Sequence, residues 1–177
     1  MAADAPADAA PAPPEGEGSP LQTALASATA ECEAGNAAFF QGETGAAISK
    51  YTKALATLEG LAACSGDRAV EVTAETVRAL VNAALCHKKR GEADAARALA
   101  SRAADLNPRS VKALYLLGVL HQQSGDVATA LHYLTAAKAL DPENKGVQAA
   151  LRSAREAELA AGGGGGGSTP GPPRKRA

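Results

Sequence analysis

The sequence is poor in aromatic residues and contains no tryptophan: Phe, Tyr and Trp together make up 3% of its 177 residues. Strands favour aromatic and β-branched side chains, so this scarcity argues against an all-β sandwich or barrel. No hydrophobic run approaches the ~18 residues that a membrane-spanning helix requires. The 18 lysines and arginines nearly balance the 19 aspartates and glutamates, so the basic excess typical of nucleic-acid binding is missing.

Cysteines are also few and far apart. The three, Cys32, Cys64 and Cys86, form no C-x-x-C motif, and none lies at zinc-finger spacing from a histidine. An odd, scattered set argues against a disulfide framework and favours a reducing compartment, so a cytoplasmic location is expected. The first 20 residues have neither a basic start nor an apolar stretch, so no signal peptide is expected.

Alanine is abundant instead, with 45 residues, and it favours closely packed helices. The charges are uneven at the ends. Residues 1–20 hold four acids and no base, and residues 162–177 hold three bases and no acid. Both ends have too little apolar surface to fold, which predicts disordered tails around a helical domain over 21–161. The basic end at 173–176 is either a solubilising charge cluster or a nuclear-localisation element.

Glycine, proline and several other residues recur in the helical domain at one constant interval. The pairs that repeat are Gly91 and Gly125, Pro108 and Pro142, Ala96 and Ala130, Ala103 and Ala137, Leu80 and Leu114, and His87 and His121. The interval equals the helix-turn-helix period of about 34 residues that is the tetratricopeptide signature. It predicts three helix pairs over about 28–61, 77–110 and 111–144, and a polar-backed capping helix over 143–161.

Helix boundaries are predicted from local signals. Ser19-Pro20, Asn107-Pro108 and Asp141-Pro142 each fit an N-cap followed by a proline in the first turn. The stretch 62–72 is predicted to be a loop.

The first repeat carries a family resemblance. The string GNAAFFQG at 35–42 and the string AAISKYTKAL at 46–55 resemble the opening repeat of the tetratricopeptide domains of co-chaperones and immunophilins. Gly42 and Gly91 lie further apart than one period, which implies an insertion after the first repeat. In this the sequence is also similar to the tetratricopeptide repeat protein 9 family. The resemblance implies an all-α, right-handed solenoid that binds a protein or peptide segment in its concave groove.

In the co-chaperones that the chain resembles, five groove residues clamp the C-terminal carboxylates of heat-shock chaperones. Matched position by position, Asn36, Asn82 and Lys112 keep the residue types of that clamp. Cys32 stands where the resemblance implies a lysine, and Leu116 stands where it implies an arginine. Each lost charge-assisted hydrogen bond is worth roughly 1.5–3 kcal/mol. Losing two therefore predicts carboxylate binding weaker by about two to four orders of magnitude.

Other side chains on the first helix of each pair are candidates to line the same groove. They are the apolar residues Val81, Leu85, Tyr115, Leu116 and Val119, and the lysines Lys88 and Lys112. The hypothesis is a groove for a partly apolar segment with an acidic or C-terminal group, with a chaperone C-terminus among the candidates. The alternative is that several of these side chains, and the two asparagines, only pack the helices together.

No pattern in the sequence predicts catalysis, a cofactor or a metal site. His87 and His121 occupy the same position in successive repeats, where helices ~8–10 Å apart favour packing over a shared metal. The six-glycine run at 162–167 lacks the Lys-Ser/Thr that completes a phosphate-binding loop.

The sequence therefore predicts a non-enzymatic, monomeric adaptor or co-chaperone-like protein. Two alternatives stay open. One is an accessory relative of the prolyl-isomerase class without its catalytic domain. The other is a structural subunit whose groove is permanently filled by another protein.

Overall fold

The computed structural model describes residues 19–62 and 66–162. Of the tails predicted over 1–20 and 162–177, residues 1–18 and 163–177 lie outside the described residues, as does Cys64. A 3₁₀ turn, Gly66–Arg68, precedes the third helix. The described part of the chain forms seven α-helices: α1 Pro20–Phe40, α2 Thr44–Ala62, α3 Ala69–Lys89, α4 Ala93–Leu106, α5 Val111–Gln123, α6 Val127–Leu140 and α7 Lys145–Gly162.

The helices pack as consecutive pairs, which confirms the predicted all-α architecture. α1 packs on α2, α3 on α4, and α5 on α6, and α7 covers the last pair. The turns inside the three pairs contain Gly42, Gly91 and Gly125, whose φ angles are 85°, 80° and 83°. Glycine adopts this left-handed conformation without steric cost, which explains why the glycines recur at helix ends.

Small residues lie where the two helices of a pair cross. Ala47 and Ala54 on α2 are fully buried, as are Ala96 and Ala103 on α4. In the third pair, a Cβ added at Gly118 would lie 2.5 Å from Leu134 Cγ, so only glycine fits at this crossing. The repeated small residues therefore set how closely each pair packs.

α7 is the predicted capping helix. It buries Val147, Leu151 and Ala154, which follow one another at helical spacing. Leu151 and Ala154 pack against Leu134 of α6. The cap thus removes the apolar surface of the last pair from water. None of the described helices is both long and apolar enough to cross a membrane.

The predicted N-caps at the two later prolines are wrong. Asn107 and Asp141 instead end α4 and α6, and their φ angles of −141° and −139° lie outside the helical region. A following proline disfavours the helical conformation, so the helix ends before it. The side chains that cap the next helices are Ser110, which accepts from Ala113 N at 3.4 Å, and Asn144, which accepts from Val147 N at 3.2 Å.

Two further expectations about boundaries are corrected. Ser19 precedes α1, but its side chain makes no capping hydrogen bond. α3 begins at Ala69, so the predicted loop over 62–72 is too long. The extra helical turn buries Val72, which is 2% exposed and shares a core cluster with Leu58 of α2.

Candidate functional site

The first helices of the pairs contact one another, α1 with α3 and α3 with α5, and α3 lies in the middle. Two cavities of about 180 Å³ each lie along α3 and meet at Asn82. We call them the aromatic pocket and the cationic pocket, and together they form the groove. The aromatic pocket is lined by Asn36, Phe39, Phe40, Tyr51, Asn82 and Leu85. The cationic pocket is lined by Ala74, Val77, Arg78, Val81, Asn82, Ser110 and Lys112.

A hydrogen-bond network joins the two asparagines. Asn36 Oδ1 accepts from Tyr51 Oη at 2.7 Å and from Asn82 Nδ2 at 2.9 Å. Burial raises the pKa of Tyr51 to about 12, so its hydroxyl stays protonated and donates. Both bonds end on the Asn36 oxygen. Among the described residues, no hydrogen bond is made to the Asn36 amide nitrogen or to the Asn82 carbonyl oxygen.

Two cations line the cationic pocket. Lys112 on α5 is exposed, and it pairs with no acid among the described residues. Arg78 on α3 lies one repeat earlier, at the same position of the preceding helix pair, and its Nη2 lies 2.7 Å from Glu75 Oε2. Arg78 is not among the site residues predicted from the sequence. Its spacing of one repeat from Lys112 could have identified it as a groove residue.

The two positions without the clamp cations are buried. Cys32 is 0% exposed and Leu116 is 1% exposed. Burial raises the pKa of the Cys32 thiol, Glu75 raises it further, and Arg78 lowers it. Leu116 packs in a core cluster with Ala84 and Ala100. Neither position offers charge to a ligand.

The structure brings together only part of the predicted groove. Asn36, Asn82 and Leu85 line the aromatic pocket, and Val81, Asn82 and Lys112 line the cationic pocket. The half-buried Tyr115 packs against the clusters under α7. Four predicted residues line neither pocket: Lys88, Tyr115, Leu116 and Val119.

A pair of aromatic residues at the end of α1 is a second feature that the sequence did not predict. Phe40 is 87% exposed, and its ring lies edge-on to that of Phe39, with 6.3 Å between centroids. The Lys89 ammonium lies 5.0 Å from the centre of the Phe39 ring. An exposed aromatic ring beside a pocket is a surface suited to apolar ligand groups.

The repeated histidines form separate local pairs. His87 Nδ1 lies 2.5 Å from Glu92 Oε2, and His121 Nδ1 lies 3.1 Å from Asp126 Oδ2. Each carboxylate lies at the turn inside the helix pair, at the same repeat position. Within residues 19–62 and 66–162, no group of three or more candidate ligands is placed to hold a metal ion.

Comparison with known proteins agrees with the fold. A family model described as tetratricopeptide repeat matches residues 111–144. The chain contains a tetratricopeptide repeat (TPR) domain. No curated protein matches the sequence.

Solved structures resemble this TPR domain over most of its length. The C-terminal TPR-containing domain of a Plasmodium falciparum protein, described as FK506-binding, is 25% identical with a TM-score of 0.72. The match covers 81% of this chain and 95% of that one.

Two further similar structures contain bound peptides. The first TPR of Spaghetti (RPAP3), bound to the HSP90 peptide SRMEEVD, is 21% identical with a TM-score of 0.64, over 76% of this chain and 98% of that one. The second TPR domain of human RPAP3, in complex with the HSP70 peptide SGPTIEEVD, is 19% identical with a TM-score of 0.58, over 76% and 98%. At these identities the likeness shows the fold.

Proposed function

We propose that this TPR domain is a non-catalytic adaptor module that binds the acidic C-terminal segment of a partner protein in the groove along α3. The observation that carries the proposal is the cationic pocket. Arg78 and Lys112, one repeat apart, line it together with Asn82. Carboxylates leaving water need charge-assisted hydrogen bonds, and these two side chains are placed to supply them.

The two asparagines add contacts to the peptide backbone. Asn36 keeps its amide nitrogen as a donor and Asn82 keeps its carbonyl oxygen as an acceptor, because Tyr51 and the Asn82 amide nitrogen both bond the Asn36 oxygen. Donors and acceptors fixed in advance bind an extended peptide without a further ordering cost.

The aromatic pocket determines in which direction the peptide runs along the groove. It lies on the other side of Asn82 from the cations, and its lining includes Phe39, Phe40 and Leu85. A peptide whose C-terminal carboxylate lies near Lys112 would extend past Asn82 and place an upstream apolar side chain there. The partner is therefore a segment with an apolar residue followed by an acidic C-terminus.

Two structures with the same fold support this ligand class. The peptides bound to the first TPR of Spaghetti and to the second TPR domain of human RPAP3 both end in Glu-Glu-Val-Asp. Here Cys32 and Leu116 supply no charge, and Arg78 provides a cation from a different position. We infer that chaperone C-termini of this type are bound with a rearranged set of cations.

The test is fluorescence anisotropy with SRMEEVD labelled at its N-terminus. We expect Lys112→Ala and Arg78→Ala each to weaken binding about five- to tenfold, because each removes one charge-assisted contact that is partly screened by solvent. Lys138→Ala is the matched control, since Lys138 is an exposed lysine on α6, the second helix of its pair. Amidation of the peptide C-terminus should weaken binding at least as much as either substitution.

Equal binding of the free and amidated peptides would contradict the proposal. So would affinities that are unchanged in both Lys112→Ala and Arg78→Ala.

A further inference from the structure

The Arg78 guanidinium, which lines the cationic pocket, already has a partner on its own helix. Arg78 Nη2 lies 2.7 Å from Glu75 Oε2, three residues earlier on α3. The Glu75 side chain is 18% exposed, and that of Arg78 is 47% exposed. Glu75 Oε2 is shielded from solvent and receives no well-directed hydrogen bond from the described residues. Electrostatic attraction therefore holds the pair together, and the arginine is its more exposed partner.

This pair differs from the two other arginine–acid pairs at the same sequence spacing in the described residues. The acid is 57% exposed in the Arg68–Glu71 pair and 96% exposed in the Arg97–Asp94 pair. Exposed pairs of this kind contribute little, because water and salt screen them. The Glu75 carboxylate is the one drawn into the protein, beside the pocket that Arg78 lines.

The pair also acts on Cys32, the position where the resemblance implies a lysine. Glu75 raises the pKa of the Cys32 thiol and Arg78 lowers it, so both charges are felt at this position. A buried thiol stands there in place of the lysine, and the cation that acts on it, Arg78, already has its own carboxylate. A carboxylate arriving from a ligand meets Arg78 where Glu75 already neutralises it.

We propose that Glu75 is an internal counter-ion that a ligand's carboxylate must displace from Arg78, and that it thereby sets which acidic C-termini the groove accepts. The inference rests on the proposed function of the groove. A C-terminus with one carboxylate reaches Lys112 and leaves the Glu75–Arg78 pair intact. A C-terminal aspartate has a second carboxylate, which gains from Arg78 only by exchanging with Glu75.

The experiment compares Glu75→Gln with the unchanged chain, using labelled SRMEEVD and the variant peptide SRMEEVA. We expect Glu75→Gln to bind SRMEEVD about three- to tenfold more tightly, because Arg78 is released for the aspartate side chain. The gain for SRMEEVA should be smaller. Asp94→Asn is the matched control: it removes one negative charge from a pair of the same spacing on α4, and both affinities should stay unchanged.

A double-mutant cycle with Arg78→Ala separates the counter-ion from general repulsion. If Glu75 acts through Arg78, Glu75→Gln should tighten SRMEEVD binding much less in a chain that already carries Arg78→Ala. The remaining gain in affinity should be about the gain that Glu75→Gln gives for SRMEEVA in the chain that keeps Arg78. Glu75→Ala provides a second variant of the same side chain, and circular dichroism confirms that each variant keeps its helices.

Three results would overturn the inference. If the unchanged chain binds SRMEEVD and both Glu75 variants bind it with the same affinity as the unchanged chain, the counter-ion role of Glu75 is wrong and the proposed function stands. An equal gain in SRMEEVD affinity from Glu75→Gln with and without Arg78 would show that Glu75 acts only by repelling the carboxylates of the peptide. If neither the unchanged chain nor the variants bind SRMEEVD, the proposed function fails as well.

Discussion

At the scale of single residues, two glycines let the helices of a pair approach each other. A Cβ added at Gly35 would lie 2.8 Å from the Tyr51 ring, and one added at Gly118 would lie 2.5 Å from Leu134 Cγ. Both partners are buried, Tyr51 at 1% exposure and Leu134 at 0%. The space that a methyl group would need is therefore already filled by a side chain that cannot move into water.

Gly118→Ala should destabilise the domain by about 1–3 kcal/mol, since it overpacks the α5–α6 crossing. The measurement is urea unfolding followed by circular dichroism. Gly60→Ala is the control, because Gly60 also lies in a helix but has nothing within 4 Å of the added Cβ. That variant should be neutral or up to about 1 kcal/mol more stable. Similar effects of the two substitutions would show that helix propensity, rather than the crossing, determines the result.

Tyr51 should ionise late in an alkaline titration. Burial raises its pKa from 10 to about 12, so its contribution to stability is complete below pH 10 and is lost as the pH rises to about 12. Absorbance at 295 nm of the native chain minus that of Tyr51→Phe should rise near pH 12. A difference that rises near pH 10 would show that the ring is not buried.

The residues of the candidate site were predictable to different degrees. Asn36, Asn82 and Lys112 follow from the family resemblance, since each retains the residue type of its position. Arg78 was predictable from the repeat period. The burial of Leu116 was not, because an apolar residue on a first helix fits the groove and the core equally well until the neighbouring helix is placed.

At the scale of whole helices, the ends were harder to predict than the helices themselves. The repeat period placed the helices of the second and third pairs, because glycine and alanine recur wherever two helices turn and cross. The first pair followed from local signals and the family resemblance, and the capping helix from its own apolar stripe. The capping residues were misassigned at Asn107 and Asp141, since a polar residue before proline fits both the end of one helix and the start of the next. Tertiary packing decided where α3 begins, because the first turn is needed to bury Val72.

The capping role of α7 should be visible in stability. Leu151 is 3% exposed and packs against Leu134, so Leu151→Ala should cost about 2–4 kcal/mol in urea unfolding. Leu159→Ala on the same helix is the control, because Leu159 is 74% exposed and its loss should change stability by less than about 0.5 kcal/mol. Equal effects would contradict the assignment of α7 as a helix that packs against the last pair.

At the scale of the whole molecule, the groove exists only because three helices from different pairs lie side by side. Asn36 on α1, Asn82 on α3 and Lys112 on α5 are far apart in the sequence, one in each helix pair. The hydrogen bond from Asn82 Nδ2 to Asn36 Oδ1 links α3 to α1. A ligand that contacts all three residues would therefore bridge the three helix pairs.

The sequence by itself determined the helical class and the repeat period, because these depend on local propensity and on a spacing that each repeat copies. Its family resemblance supplied the residue types expected of a partial clamp. The tertiary structure alone decided which residues line the groove. It buried Cys32 and Leu116, exposed Phe40, and paired Glu75 with the Arg78 side chain that lines the cationic pocket. The physical reason is that burial and charge pairing depend on how neighbouring helices pack, and a repeat pattern fixes the order of the helices but not which atoms fill the space between them.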